Sequence, residues 1–163
     1  MLFDLETIRF LKVAIEKDGF LELPAHGNSM FPLIQRGDVC KFVPCSPGSF
    51  GKGEIILFHT DHGQLIAHRF IRSESNDGFQ HYLFKGDTNL GYDFPATPEQ
   101  LIGKLSSIKK NRHNLSVHSS SVELWAKLIT TLPVLSGILR KYLNWKSHYA
   151  EMWSTLWRKL NSL

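Results

Sequence analysis

After Pro24 the chain breaks into five short β-prone runs, at residues 39–43, 54–59, 64–71, 79–84 and 101–108. Gly and Pro punctuate every gap between them. Gly48, Gly51 and Gly53, then Asp61-His62-Gly63, then Asn76-Asp77-Gly78, supply turn chemistry that suits hairpins. Runs this short, joined by turns this tight, predict a mostly antiparallel, coiled sheet and leave no room for crossover helices between parallel strands. The fold expected is therefore mainly β within the α+β class.

Helical texture is confined to the two ends. Asp4 can cap a helix in which Leu5, Ile8, Leu11 and Ile15 form one apolar stripe, ending near Asp18-Gly19. One helix before Phe20 is too little for a helix-turn-helix reader of DNA. From Ser119 the period returns, with Val122, Trp125, Leu128, Ile129 and Leu132 on one face before a break at Pro133. Trp145, Tyr149, Met152, Trp153, Leu156, Trp157, Leu160 and Leu163 then trace an amphipathic helix whose other side carries Lys146, His148, Glu151, Arg158 and Lys159. The organisation expected is a β-rich domain at 1–118 and an amphipathic helical extension at 119–163, divided at the Ser119 to Ser121 run.

Composition sharpens this. Of 163 residues 42% are hydrophobic and 2 are Cys, which argues against both a disordered chain and a disulfide-stapled miniprotein. Residues 1–118 hold 13 basic and 13 acidic side chains, and residues 119–163 hold 6 basic and 2 acidic, so the whole net charge of +4 sits in the tail. No basic stripe interleaved with aromatics crosses the β-region, so nucleic acid is not an expected partner. The charged N-terminus does not suit a signal peptide, and the longest uncharged apolar stretch, 128–139, is far below the roughly 20 residues a spanning helix needs. The expectation is a cytoplasmic or peripheral membrane protein. Cys40 and Cys45 lack a second pair of metal ligands at suitable spacing and read as reduced thiols.

Three stretches of the β-region could carry chemistry: Gly27-Asn28-Ser29-Met30-Phe31-Pro32, Ala67-His68-Arg69, and Lys85-Gly86-Asp87-Thr88-Asn89 with Asp93 beyond it. Singly, each has an ordinary explanation: Ser29 as a turn residue, His68 as a satisfied strand histidine, Asp87 as an Asx-turn residue. Together they supply a hydroxyl nucleophile, a base that titrates near neutrality and a carboxylate to orient that base. Residue chemistry alone leaves open whether Asp93 or Asp87 is that carboxylate.

Ser-Met-x-Pro, His-Arg and Lys-Gly-Asp-x-Asn, in this order and joined by Gly37-Asp38 and Ile102-Gly103-Lys104, resemble the signal peptidase I family from about Gly27 to Lys104. The bacterial branch and the related self-cleaving repressors carry a lysine where this chain has His68, so the resemblance is to the endoplasmic-reticulum and archaeal type. It implies a coiled β-fold of signal-peptidase and repressor-protease type and a serine endopeptidase that cuts an extended peptide or precursor protein after a small residue. It further implies Ser29 as nucleophile, His68 as general base, Asp93 as triad carboxylate and Asp87 as a second acidic residue of the site. The oxyanion donors would be the backbone N–H of Ser29 and the side chain of Asn28. No cofactor and no metal are implied. In place of the family's N-terminal membrane-spanning helix stands the 5–15 amphipathic stripe, and nothing in the family corresponds to 122–163.

That tail admits three readings: packing on the protease core, docking a partner protein, or lying on an anionic membrane surface. The rival to an enzyme is a non-catalytic peptide- or partner-binding module that keeps the fold; the complete set of Ser29, His68 and both aspartates argues against it. Lesser motifs carry little. His59-Thr60-Asp61-His62 reads as a solvated turn rather than a metal site, Asn114-Leu115-Ser116 as a chance sequon, and Lys109, Lys110, Arg112 and His113 as a solvated strand end.

Overall fold

The computed structural model describes residues 2–76, 78–111 and 113–160, with the side chains of 76, 154–156 and 158–160 left aside. Asp77, Arg112 and Leu163, with the side chains of Leu156, Arg158, Lys159 and Leu160, fall outside the described set. The architecture is α+β: a seven-stranded antiparallel sheet with one helix before it and two after it. The strands are β1 (Leu21–Pro24), β2 (Val39–Val43), β3 (Ile55–His59), β4 (Leu65–Asn76), β5 (Phe79–Lys85), β6 (Leu101–Lys110) and β7 (His113–Ser116). Their order is β1-β2-β6-β3-β4-β5, with β7 joined to β6.

Strand β3 shows why the sheet coils. Ile55, Ile56, Leu57 and Phe58 are all buried, and period-two alternation divides them between two cores. Ile55 and Leu57 join Ile15, Met30, Leu33, Ile34, Phe42, Ile102, Leu105 and Ile108 on one face. Ile56 and Phe58 join Phe50, Phe70, Tyr82, Phe84 and Leu101 on the other. Phe58 stacks on Phe84 with ring centroids 4.4 Å apart, and Phe50 meets Phe70 edge-on at 4.9 Å. Each such side chain withdrawn from water contributes about 1.5–3 kcal/mol, so the sheet is held from both sides. Register shifts in the pairing of β2 and β3 with β6, and of β4 with β5, add the local twist that lets one sheet wrap two cores.

Helix α1 (Leu5–Asp18) starts where Asp4 Oδ1 accepts the Thr7 N–H at 2.7 Å and ends at Gly19, whose φ of +76° suits a residue without Cβ. Its buried stripe is narrower than the periodicity predicted. Ile8 and Ile15 are buried, but Leu5 is 72% exposed. Helices α2 (Ser120–Thr131) and α3 (Val134–Leu160) meet at Pro133, so the last helix begins eleven residues before Trp145. Val122 and Ile129 of α2 are buried, and Val122 joins the first core, whereas Leu128 and Leu132 are exposed despite sharing the predicted face. Among the described residues no single helix is long and apolar enough to cross a membrane; α2 and α3 reach that test only as a pair bent by 103°.

The expected runs at 39–43, 54–59, 64–71, 79–84 and 101–108 each coincide with a strand, those at 54 and 64 starting one residue early and β4 and β6 extending further than predicted. Strands β1 and β7 were not anticipated. Lys110, expected on a solvated strand end, pairs with Asp38 at 2.8 Å because the β2–β6 register sets Val39 opposite Lys109 and so brings Asp38 beside Lys110.

At Gly103 three elements converge. A Cβ there would stand 2.5 Å from Ile15 Cδ1 and 2.8 Å from the Val43 carbonyl oxygen. The backbone oxygen cannot swing away as a side chain can, so Gly103→Ala is expected to cost about 1–3 kcal/mol of stability by overpacking. Urea denaturation checks this; a midpoint equal to wild type would show that β2 and α1 yield without strain.

Candidate active site

The serine, the histidine and the two aspartates come from three stretches of the chain: the 28–31 turn, strand β4, and the 86–96 segment that follows β5. Ser29 sits in a turn followed at once by Met30, Leu33 and Ile34, all buried in the first core. Asn28 O accepts the Phe31 N–H at 3.1 Å, and Asn28 Oδ1 accepts the Arg36 N–H at 3.1 Å, which ties the turn to itself. His68 lies on β4 opposite Ile56 of β3. Alternation sends His68 to one face and Arg69 to the other. Asp93 is placed by the backbone: its N–H donates to Phe84 O at 2.9 Å, and Ala96 exchanges both bonds with Tyr82, so 93–96 returns along β5.

These placements make a continuous chain. His68 Nε2 and Ser29 Oγ are 2.9 Å apart, and His68 Nδ1 and Asp93 Oδ2 are 2.6 Å apart. A carboxylate only accepts, so Nδ1 carries the proton toward Asp93 and Nε2 accepts the Ser29 hydroxyl. The imidazole and carboxylate are 8% and 15% exposed, dry enough to strengthen the bonds. Among the described residues no acceptor takes the Ser29 N–H.

The alternative left open by the sequence is decided by geometry. Asp87 does not face His68; it is buried against Arg69, with Oδ1 accepting Arg69 Nε at 2.7 Å and Oδ2 accepting Arg69 Nη2 at 3.0 Å. A third donor, Trp125 Nε1 of α2, reaches Asp87 Oδ2 at 2.8 Å. Arg69 Nη1 donates to Gly53 O at 2.8 Å, which completes its fork. Next to Asp87, the Thr88 N–H donates to Ser29 O at 2.9 Å. The Gly86–Thr88 turn thus holds the serine turn on one side and Arg69 on the other.

Arg69 and Gly86 stand inside the sequence boxes with nothing local to mark a task for them, and the spacing of Trp125 marks only an apolar stripe residue. Asp87 within the box and Asp93 four residues beyond it were both candidates to orient the imidazole, and nothing local said which. Helix α3 also borders the site: Tyr142 stacks on Phe31 with centroids 5.7 Å apart, and Lys85 Nζ donates to Ser136 Oγ at 3.2 Å. A cavity of about 390 Å³ lies beneath α2, lined by Arg69, Glu54, Val122 and Ala126 among others, and does not include Ser29, His68 or Asp93.

The two thiols are free. Burial pushes Cys40 up to about 12 and Cys45 up to about 11, so both stay protonated thiols at neutral pH. His59 Nδ1 lies 3.1 Å from Thr60 O in the β3–β4 turn, and among the described residues no group of three His, Cys, Asp or Glu comes together as a metal site. No protein-family model matches the chain, and no curated protein matches it.

Gly86 explains how the imidazole fits. A Cβ at that position would stand 2.9 Å from His68 Nε2 and 3.0 Å from the Asn89 side-chain amide. Gly86→Ala is therefore expected to displace the ring and slow modification of Ser29 by a serine-directed fluorophosphonate roughly 100-fold. Stopped-time mass spectrometry reads the rate; modification as fast as wild type would mean that the ring does not depend on this approach.

Proposed function

We propose that this chain is a serine endopeptidase resembling type I signal peptidases, which removes a leader or signal peptide from a precursor by acyl-enzyme chemistry. The observation that carries the reading is the unbroken Ser29–His68–Asp93 chain at 2.9 and 2.6 Å. In this mechanism His68 Nε2 takes the Ser29 proton as Oγ attacks the scissile carbonyl, and Asp93 holds the tautomer and stabilises the imidazolium. The Ser29 N–H supplies the oxyanion donor; Asn28, whose Oδ1 is bound to Arg36, retains only Nδ2 for that purpose. The imidazolium then protonates the leaving amine, and a water activated by the same base releases the acyl group.

Strand β1 leads through 25–28 into Ser29 and pairs only with β2 among the described strands. Its free edge is suited to an extended peptide bound by main-chain hydrogen bonds. Leu90 and Phe94, the latter 93% exposed, flank Asp93 and offer apolar contacts beside the scissile bond.

The test is covalent. A fluorophosphonate is expected to add once per chain, at Ser29, and Ser29→Ala, His68→Ala or Asp93→Asn each to reduce labelling by roughly 1,000-fold or more, with no further loss on combining the first two. Asp87→Asn is expected to act through the positions of Arg69 and the 86–88 turn, so its loss accompanies a lower melting temperature. Labelling elsewhere, or undiminished labelling in His68→Ala, would sink the assignment.

The tail is read as a reversible contact with an anionic membrane surface. Trp145, Tyr149, Met152, Trp153 and Trp157 of α3 are all exposed, Trp153 by 67%, and Arg140, Lys141 and Lys146 accompany them. Exposed Trp on a basic amphipathic helix suits the bilayer interface, where each basic residue contributes about 1 kcal/mol. The protein is expected to sediment with phosphatidylserine vesicles at low salt, and Trp153→Ala with Trp157→Ala to release it. A chain that ignores these vesicles and instead dimerises through α3 would refute the membrane reading.

A further inference from the structure

Every group of the proposed triad lies between Ser29 and Asp93, yet one residue behind it comes from the carboxy-terminal helices. Asp87 Oδ2 accepts two N–H groups, Arg69 Nη2 at 3.0 Å and Trp125 Nε1 at 2.8 Å, and the indole bond is the shorter. Asp87 and Arg69 are 1% and 2% exposed, so each hydrogen bond between them and to the indole is made away from bulk solvent. This carboxylate sits between two neighbours of the catalytic groups. Arg69 follows His68 on β4, and Thr88, which follows Asp87, donates from its N–H to Ser29 O.

Helix α2 is seated for this contact. Gly53 lies under it, and a Cβ on Gly53 would already be 3.4 Å from Ala126 Cβ. Val122, one turn before Ala126, is packed into the first core. Trp125 is thus held from both sides of its own turn, and its N–H is aimed at a fixed target. We propose that Trp125 is a positioning residue for the Ser29–His68 pair, so that the C-terminal extension is a working part of the active site. The inference rests on the peptidase reading above.

The mechanism is geometric. With the indole in place, Asp87 holds Arg69 and the 86–88 turn in one arrangement, and the Ser29 hydroxyl meets His68 Nε2. Without it, Oδ2 loses one of its two donors, the carboxylate can rotate about the Arg69 fork, and the 86–88 turn loosens against Ser29 O. Reactivity of a bound ligand falls while its binding, made at the open face, does not.

Trp125→Phe keeps an aromatic ring and removes only the N–H; Trp125→His restores a ring N–H at similar reach. The rate of Ser29 phosphonylation, resolved into its saturating rate and its half-saturating concentration, is measured for full-length protein. The saturating rate is expected to fall about tenfold in Trp125→Phe at unchanged half-saturation and to recover most of that loss in Trp125→His. A wild-type saturating rate in Trp125→Phe, or a loss that Trp125→His does not recover, overturns the proposal. If Trp125→Phe does not fold, the wild-type chain decides: the Trp125 indole N–H resonance, identified by replacing Trp145, Trp153 and Trp157 singly with Phe, is expected to shift on phosphonylation of Ser29. An unmoved resonance overturns the proposal. A wild-type chain that the fluorophosphonate never labels instead refutes the peptidase reading itself, a result distinct from equal labelling of wild type and Trp125→Phe.

Discussion

The ion pair between Arg69 and Asp87 fixes the two segments that meet at the serine and the histidine. Burying a carboxylate and a guanidinium costs several kcal/mol of hydration each, and their attraction offsets this only with good geometry and further hydrogen bonds. Both conditions are met here: a two-pronged fork, a carbonyl for the third guanidinium nitrogen, and an indole N–H for the second carboxylate oxygen. Removing one partner alone would leave an uncompensated charge, at about 3–5 kcal/mol. Asp87 therefore bears on the site without touching the imidazole.

The sheet supplies the rest of the rigidity. His68 is carried on a strand whose neighbour, β3, is buried on both faces, and Ser29 precedes three side chains inserted into the first core. Asp93 is fastened through its backbone to β5 at Phe84. Strand alternation separates the work by face: His68 lies on the side of Ile56 and the second core, Arg69 on the side of Ile55 and α2.

Much of this was legible in the sequence because the relevant signals are local. The strand at 39–43 and the cap at Asp4 follow from composition and spacing, and the Ser29, His68 and acidic boxes are short enough to read directly. Strand β1 escaped because Leu21-Glu22-Leu23-Pro24 is only four residues and ends in proline; its pairing with β2 is a long-range fact. Strand β7 is polar, His113-Asn114-Leu115-Ser116, and is held by register with β6 rather than by its own propensity. Asp93 and Asp87 could not be told apart since the answer depends on how 91–96 folds back along β5. Trp125 looked like core from its spacing, and half of it is; the indole N–H, which the periodicity ignores, is the part that reaches Asp87.

In the proposed chemistry His68 and Asp93 make Ser29 an acylating nucleophile. Pre-steady-state reaction with p-nitrophenyl acetate tests it most directly, because an acyl-enzyme releases its first nitrophenolate faster than its second. The account predicts a burst of about one nitrophenolate per chain, an acetyl group on Ser29 in the trapped protein, and no burst in Ser29→Ala. Linear release from the first turnover, with no acetyl group on Ser29 and the same rate in Ser29→Ala, would contradict it.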